Sequence, residues 1–208
     1  MARPAALNMA IDEVLLTTAS LPVLRFYRWS APSVSFGYFG TFDEAREFAG
    51  ERPLVRRWTG GGIVPHGEDL TYSIMTGRAE AVYALSSGVI YRRIHAAVER
   101  ELQAMGIQVH FSEAASPKIS DSCFANPVVA DLMEEGRKIA GAAQRKTRHG
   151  LLHQGSIQRG GLGEEFRRGL AGLLSAEIVE KQISSPILAA AEFLAAEKYG
   201  TDEWLYRR

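Results

Sequence analysis

The chain has 208 residues, of which 46% are hydrophobic and 23% charged, enough to build one sizeable hydrophobic core. Lysine plus arginine and aspartate plus glutamate number 24 each, so the net charge of zero excludes a protein-wide field that would attract nucleic acid or an anionic membrane. The single cysteine, Cys123, excludes an internal disulfide and a cysteine-built metal site. No apolar stretch approaches the ~20 residues of a membrane span, and the first residues lack the pattern of a secretory signal, so we expect a cytoplasmic protein.

The first half of the chain predicts one helix followed by strands. Apolar residues recur at helical spacing over 6–19, and Pro22 ends that pattern. Branched and aromatic residues predict two strands, over 23–29 and 34–38, that pair with each other. The next predicted elements are a helix over 42–49, strands over 54–58 and 69–75, one long helix over 83–105, and a strand over 108–111.

The second half predicts a hairpin, a strand and two helices. Gly136 lies in a short polar turn over 134–137, between β-prone segments over 127–133 and 138–144. A strand over 151–157 and helices near 164–174 and 186–199 follow. Strands dominate the middle and helices lie at both ends, so we predict an α+β fold with a mixed, largely antiparallel sheet flanked by helices, as a single domain over 1–208.

The segment between Arg56 and His66 holds the sharpest local motif. Its three consecutive glycines, 60–62, would let backbone N–H groups approach an anion or a polar ligand, while two arginines at its entrance could neutralise negative charge. The segment is neither a Walker loop nor a dinucleotide fingerprint. On pattern alone it could equally be a flexible hairpin turn.

Two reactive side chains lie further along. Cys123 is the lone thiol in a polar loop, and it is either a small buried hydrophobe or a nucleophile. Lys138 opens a predicted strand, where it is either a solvated edge charge or, sharing a face with Ala140 and Ala142, a group beside which small residues leave room for substrate.

The histidines do not assemble a metal site by spacing. His149 and His153 would point the same way on a strand, but no convincing third ligand accompanies them, and His66, His95 and His110 do not complete a set. We therefore expect no metal and a hydrogen-bonding role for His153.

Several segments together resemble the lipoate and biotin protein ligase superfamily, most closely its octanoyltransferase branch. The resemblance rests on the motifs Asn-Met-Ala-Ile-Asp-Glu at 8–13, Arg-Arg at 56–57 with Thr-Gly-Gly-Gly at 59–62, Leu-Thr-Tyr-Ser at 70–73, and Gly-Arg-Lys-Ile-Ala-Gly at 136–141. It implies an α+β catalytic domain, without an accessory C-terminal domain, that transfers an acyl group to one lysine of a lipoyl carrier domain. Such acceptors belong to 2-oxoacid dehydrogenases and the glycine cleavage H protein.

Two chemistries exist in that superfamily. Octanoyltransferases take octanoyl from acyl carrier protein through a cysteine thioester, with no cofactor, and Cys123 matches their nucleophile segment. Lipoate ligases instead use ATP and magnesium to form lipoyl-AMP, and the run Gly60-Gly61-Gly62-Ile63-Val64 is closer to their loop; Lys138 would then pair with the carboxylate and phosphate. A non-catalytic relative that binds lipoyl domains is a third alternative.

The resemblance implies a site with Cys123 and Lys138 as the catalytic pair. One geometric condition follows: Lys138 would lie opposite Met133, ten residues from Cys123, so a straight strand would separate the pair by about 30 Å and the chain must fold back. The predicted substrate-binding residues are Arg56, Arg57, Gly60, Gly61, Gly62, Ile63, Val64, Pro65, His66, Gly141, Ala142, Gln144 and His153.

Overall fold

The structure, a computed structural model, describes residues 2–113 and 128–207. A large mixed sheet with helices on both faces forms the body of the protein, and a small second sheet packs beside it. The strands are β1 (Ala2–Arg3), β2 (Val23–Trp29), β3 (Ser33–Phe36), β4 (Leu54–Arg56), β5 (Val64–His66), β6 (Leu70–Gly77), β7 (His110–Phe111), β8 (Leu132–Glu134), β9 (Arg137–Lys146) and β10 (Gly150–Ile157). The helices are α1 (Ala5–Thr18), α2 (Phe42–Ala49), α3 (Ala81–Ala84), α4 (Ser87–Ala104), α5 (Glu164–Leu174), α6 (Ser185–Leu194) and α7 (Asp202–Leu205), with a π-helical turn at Ala195–Tyr199.

The large sheet has the strand order β1-β2-β6-β10-β9-β8-β7, and the small sheet has the order β4-β3-β5. Among the described strands, β1 lies parallel to β2 and β3 parallel to β4, while the other neighbours run antiparallel. The predicted α+β class with a mixed, largely antiparallel sheet is confirmed. Within the described ranges, no helix is both long enough and apolar enough to cross a bilayer.

Each face of the large sheet has its own hydrophobic core. Helix α4 buries Ile90, Ile94, Val98 and Leu102, a stripe at four-residue spacing, against one face together with α5. Helices α1 and α6 cover the opposite face. Because directly paired residues project to the same side, Gly141, Ser156 and Thr71 form one row on the α1 face.

The pairing predicted for the strands over 23–29 and 34–38 is wrong. Strand β2 already has β1 on one edge and β6 on the other, so β3 joins the small sheet instead. That strand also ends at Phe36 rather than at residue 38. The hairpin-turn interpretation of the glycine segment is wrong as well, because β4 and the unpredicted β5 flank β3 and do not pair with each other.

The single long helix predicted over 83–105 is two helices. Leu85 is extended, and the Ser86 side chain accepts a hydrogen bond from the Val89 N–H at the start of α4, so the chain begins a new helix there. The predicted hairpin around Gly136 is confirmed. Glu135 and Gly136 have φ of 49° and 76°, as the two central residues of a tight turn require.

Candidate active site

A narrow cavity lies where the α1 face of the large sheet meets the small sheet. Its walls come from seven elements and the glycine segment, so residues distant in sequence meet there. The lining residues are Met9, Tyr27, Trp29, Ser35, Arg57, Gly61, Val64, His66, Thr71, Gly141, Ala142, Ala143, Gln154, Gly155 and Ser156.

The glycine segment forms one wall of this cavity, and Arg57 holds its shape. The guanidinium donates to the carbonyls of Gly60 and Gly62, at 3.0 and 2.8 Å, and to Ser35 Oγ at 2.7 Å. Gly61 has φ of 85°, and a Cβ on Gly37 would lie 2.0 Å from the Gly61 carbonyl oxygen. Gly61 therefore has a positive φ that favours glycine, and Gly37 must be glycine so that the backbone of the segment can approach it closely.

A chain of buried polar groups runs behind Arg57. Ser35 Oγ lies 2.6 Å from His66 Nε2, and His66 Nδ1 lies 2.8 Å from Asp69 Oδ2. Although these are the residue types of a hydrolase triad, Ser35 lies inside β3 with 0% exposure and already receives the Arg57 hydrogen bond, so we assign the chain a structural role.

The ionisation of this chain supports that assignment. Burial lowers the pKa of His66, an effect that Asp69 partly offsets. Burial alone would raise the pKa of Asp69, but the hydrogen bonds from His66 and Ser156 hold it below its ordinary value. A neutral imidazole and an ionised carboxylate thus anchor the glycine segment.

A second buried network fixes α1 beneath the cavity. Asp12 accepts hydrogen bonds from Arg25 at 2.6 Å, Ser73 at 2.5 Å and Gln154 at 2.8 Å. Gln154 Oε1 in turn accepts from Thr59 Oγ1 at 2.7 Å, which ties the start of the glycine segment to β10. Sequence reasoning missed this network, because its members are adjacent only after folding.

Lys138 lies at the Gly141 end of the cavity. A Cβ on Gly141 would lie 2.5 Å from Lys138 Cε and 2.7 Å from Nζ, so the amine occupies the space above that glycine.

The prediction that Lys138 shares its face with Ala140 and Ala142 is therefore wrong. The β8–β9 register shifts at Leu132/Met133, which leaves Ile139 as an extra residue and breaks the strict alternation. The predicted pairing of Lys138 with Met133 is confirmed.

Asp131 binds the Lys138 amine, and Tyr91 binds Asp131. Lys138 Nζ lies 2.7 Å from Asp131 Oδ2, and both side chains are almost fully buried. The Tyr91 hydroxyl donates to Asp131 Oδ1 and accepts from the Ala142 N–H at 3.0 Å. Sequence reasoning missed both residues, although Asp131, the acidic residue just before β8, was a visible signal.

Two buried histidines, His95 and His153, lie near the Lys138, Asp131 and Tyr91 side chains, on the α4 face of the sheet. His153 projects to that face, away from the cavity, and its Nδ1 has no hydrogen-bond partner among the described residues. Burial lowers the pKa of His153, and it lowers that of His95 to about 4. Within residues 2–113 and 128–207, no group of three or more His, Cys, Asp or Glu side chains could hold a metal ion.

These neutral histidines predict a loss of stability in acid. The unfolded chain protonates a histidine near pH 6.5, while folded His95 resists protonation until about pH 4, so the unfolded state binds more protons between these values. We expect the free energy of unfolding to fall as pH drops from about 6.5 to 4, by about 3 kcal/mol from His95 alone. Urea unfolding at several pH values measures this slope. His95→Gln should flatten it, whereas substitution of the exposed His110 by Gln should not, and equal slopes in all three proteins would contradict the prediction.

The structure brings part of the predicted site together. Among the predicted substrate-binding residues, the cavity is lined by Arg57, Gly61, Val64, His66, Gly141 and Ala142. The carbonyls of Gly60 and Gly62 bind Arg57. Outside the lining lie Arg56, Ile63, Pro65, Gln144 and His153. Cys123 lies outside the described residues.

Arg56 is a structural residue. Its guanidinium donates to main-chain carbonyls on both sides, including Tyr38 and Gly40 on one side and Leu205 and Arg207 on the other. All five of its N–H groups are used in this way, so it fastens the C-terminal segment to the small sheet.

Comparison with known proteins shows which family this chain resembles. Residues 4–190 match the family described as the lipoyl protein ligase A/B catalytic domain. A curated relative from Oceanobacillus iheyensis, named octanoyltransferase LipM, is 40% identical over 162 residues, which are 74% of this chain and 59% of the relative. The match therefore spans less than two thirds of that relative's length.

A second octanoyltransferase LipM, from Kyrpidia tusciae, is 31% identical over 262 aligned positions, covering 98% of this chain and 95% of the relative. Because the chain has 208 residues, at least 54 of those positions hold residues that this chain lacks. A solved bi-partite lipoate protein ligase from Thermoplasma acidophilum, described with its E2 lipoyl domain, has a TM-score of 0.74 at 21% identity and covers 100% of this chain and 96% of its own. That similarity establishes the shared fold.

Proposed function

Because the chain belongs to the lipoyl protein ligase A/B catalytic domain family, we propose that it transfers an octanoyl group to a lysine of a lipoyl carrier domain. The predicted superfamily membership is confirmed, and the relatives' names agree with the predicted octanoyltransferase branch. One observation carries the proposal: the buried Lys138 amine lies directly above Gly141, at the end of a cavity lined largely by small and apolar side chains.

In the proposed reaction, the Cys123 thiolate attacks the thioester carbonyl of octanoyl acyl carrier protein. The bond from the acyl carbon to the carrier sulfur breaks, the carrier's thiolate takes up the proton that Cys123 had lost, and the octanoyl group stays on Cys123 as a new thioester. The neutral amine of the acceptor lysine then attacks this thioester, forms the amide and releases Cys123 as a thiol. Lys138 supplies positive charge that stabilises the thiolate and the tetrahedral oxyanion.

The proposed transferase needs neither ATP nor magnesium, because the acyl group of the donor thioester is already activated for forming the amide. Acyl carrier protein as donor is part of this proposal. So are the acceptors, lipoyl domains of 2-oxoacid dehydrogenases or the glycine cleavage H protein; support for a lipoyl-domain acceptor comes from the Thermoplasma ligase, which is described with its E2 lipoyl domain. The cytoplasmic location stays a prediction.

An ATP-dependent lipoate ligase is the second candidate, and the glycine segment favours it. Gly60, Gly61 and Gly62 match the ligase pattern, and Arg57 lies against them. In that reaction Lys138 would bind the lipoate carboxylate and the α-phosphate, and Cys123 would be dispensable.

One experiment separates these candidates. The protein is incubated with octanoyl acyl carrier protein without ATP, and its intact mass is measured. We expect an octanoyl adduct that hydroxylamine removes and that Cys123→Ala abolishes. Lipoate-dependent exchange between ATP and pyrophosphate that survives Cys123→Ala would overturn the transferase in favour of the ligase. Binding of a lipoyl domain without any transfer would indicate the non-catalytic relative.

A further inference from the structure

The Lys138 amine needs a fixed partner, because it is buried. Its side chain is 1% exposed and that of Asp131 is 0% exposed. Removing one member of such a pair leaves an uncompensated charge in a medium that solvates it poorly. Asp131 therefore helps to determine where the Lys138 ammonium lies above Gly141.

Asp131 is itself held from both sides of its carboxylate. The Tyr91 hydroxyl donates to Oδ1, and the Val128 N–H donates to Oδ2 at 2.7 Å. The same hydroxyl accepts the Ala142 N–H, which is free for it because β8 pairs with β9 no further than Ala140. One phenol thus connects the carboxylate that binds Lys138 to the backbone beside Gly141.

The residue before Asp131 is held in a strained conformation. Ala130 has φ of 72°, a value that non-glycine residues seldom adopt and that the surroundings must enforce. His95 Nδ1 lies 2.6 Å from the Ala130 carbonyl oxygen, and Ala130 N–H donates to Ser112 O at 3.1 Å. His95 lies one helical turn after Tyr91 on α4. The same helix therefore binds Asp131 through Tyr91 and Ala130 through His95.

We propose that Tyr91 and His95 are positioning residues for the acyl transfer, acting through Ala130 and Asp131 to hold the Lys138 amine above Gly141. This inference rests on the proposed function. Tyr91 binds Asp131 and the backbone of Ala142, and His95 binds the strained Ala130. The strain at Ala130 directs the Asp131 carboxylate toward β9, and the carboxylate holds the end of the long Lys138 side chain in one position.

The kinetic test compares Tyr91→Phe and Asp131→Asn with Tyr83→Phe. The control also removes a tyrosine hydroxyl that binds backbone, here the Thr147 carbonyl at 3.0 Å, but far from Lys138 along β9. We expect kcat for octanoyl transfer to fall about 10-fold in Tyr91→Phe and about 100-fold in Asp131→Asn, with KM changed less than about twofold. Tyr83→Phe should keep the wild-type kcat. Equal kcat in all folded variants, or a change confined to KM, would overturn the proposal.

A chemical measurement tests the positioning without any activity. Lysines are acetylated briefly with an N-hydroxysuccinimide ester, and peptide masses give the rate at Lys138 relative to the exposed Lys181. We expect slow labelling of Lys138 in the wild type and in Tyr83→Phe, and labelling at least about 10-fold faster in Tyr91→Phe and Asp131→Asn. Unchanged labelling would refute the positioning role. If labelling rises as expected but wild-type protein forms no octanoyl adduct, the proposed function is refuted. The positioning of Lys138 by Tyr91 and Asp131 is still supported in that case.

Discussion

Lys138→Met is expected to lower octanoyl transfer by about 10³-fold, the loss typical of removing a preorganised group that stabilises developing negative charge. Methionine fills most of the volume of lysine without the ammonium, so the change removes charge rather than packing. The rate of transfer from octanoyl acyl carrier protein to a lipoyl domain measures the effect. Transfer within about tenfold of wild type would contradict the role given to Lys138.

The same substitution leaves Asp131 buried without its cation, so the single variant should also lose about 3 kcal/mol of stability. The double variant with Lys138→Met and Asp131→Asn removes both charges and separates the two effects. It should recover most of the free energy of unfolding, measured in urea, while activity stays as low as in Lys138→Met. Recovery of activity together with stability would show that lysine mattered for folding alone.

The parts of the fold that could be predicted are those governed by local sequence. The bounds of α2, β2, β10 and α5 lie within one residue of the prediction, because apolar periodicity and nearby turn residues determine such elements. The tight turn at Glu135 and Gly136 was predictable for the same reason. Strand partners were not, because β2 and β3 look like a hairpin in sequence and only the competition of β1 and β6 for the edges of β2 decides otherwise.

The candidate site also has parts that local sequence predicts and parts that it does not. Arg57, Gly61, His66 and Gly141 lie in compact motifs and line one cavity, and Lys138 lies beside Gly141. The partners of the supporting residues could not be predicted because they lie far apart in sequence: Asp12 lies 142 residues from Gln154, and Tyr91 lies 40 residues from Asp131.

The arrangement of side chains around β9 also explains why its sequence has glycine at position 141. A bulge at Ile139 turns Lys138 toward Gly141, and Asp131 and Tyr91 then close over the unpaired edge of β9. A side chain at position 141 would fill the space that the amine occupies, which is why this position holds glycine.

Gly141→Ala is accordingly expected to lower octanoyl transfer about 100-fold while the protein stays folded. The new Cβ would lie 2.5 Å from Lys138 Cε and 3.3 Å from Asp131 Oδ1, so the amine must leave its position. Because the clash is with the end of a flexible side chain rather than with backbone, the free energy of unfolding should fall by no more than the ~3 kcal/mol expected for Lys138→Met. Steady-state transfer rates and urea unfolding measure the two quantities.

Gly77→Ala is the matched control, since Gly77 is also a strand glycine of the large sheet and a Cβ there would meet nothing within 4 Å. It should leave both activity and stability near wild type. If Gly141→Ala acts through Lys138, adding it to Lys138→Met should lower activity no further than Lys138→Met does alone. An additional 100-fold loss in that double variant would mean that the alanine blocks the cavity itself, and that the displaced amine is not the cause.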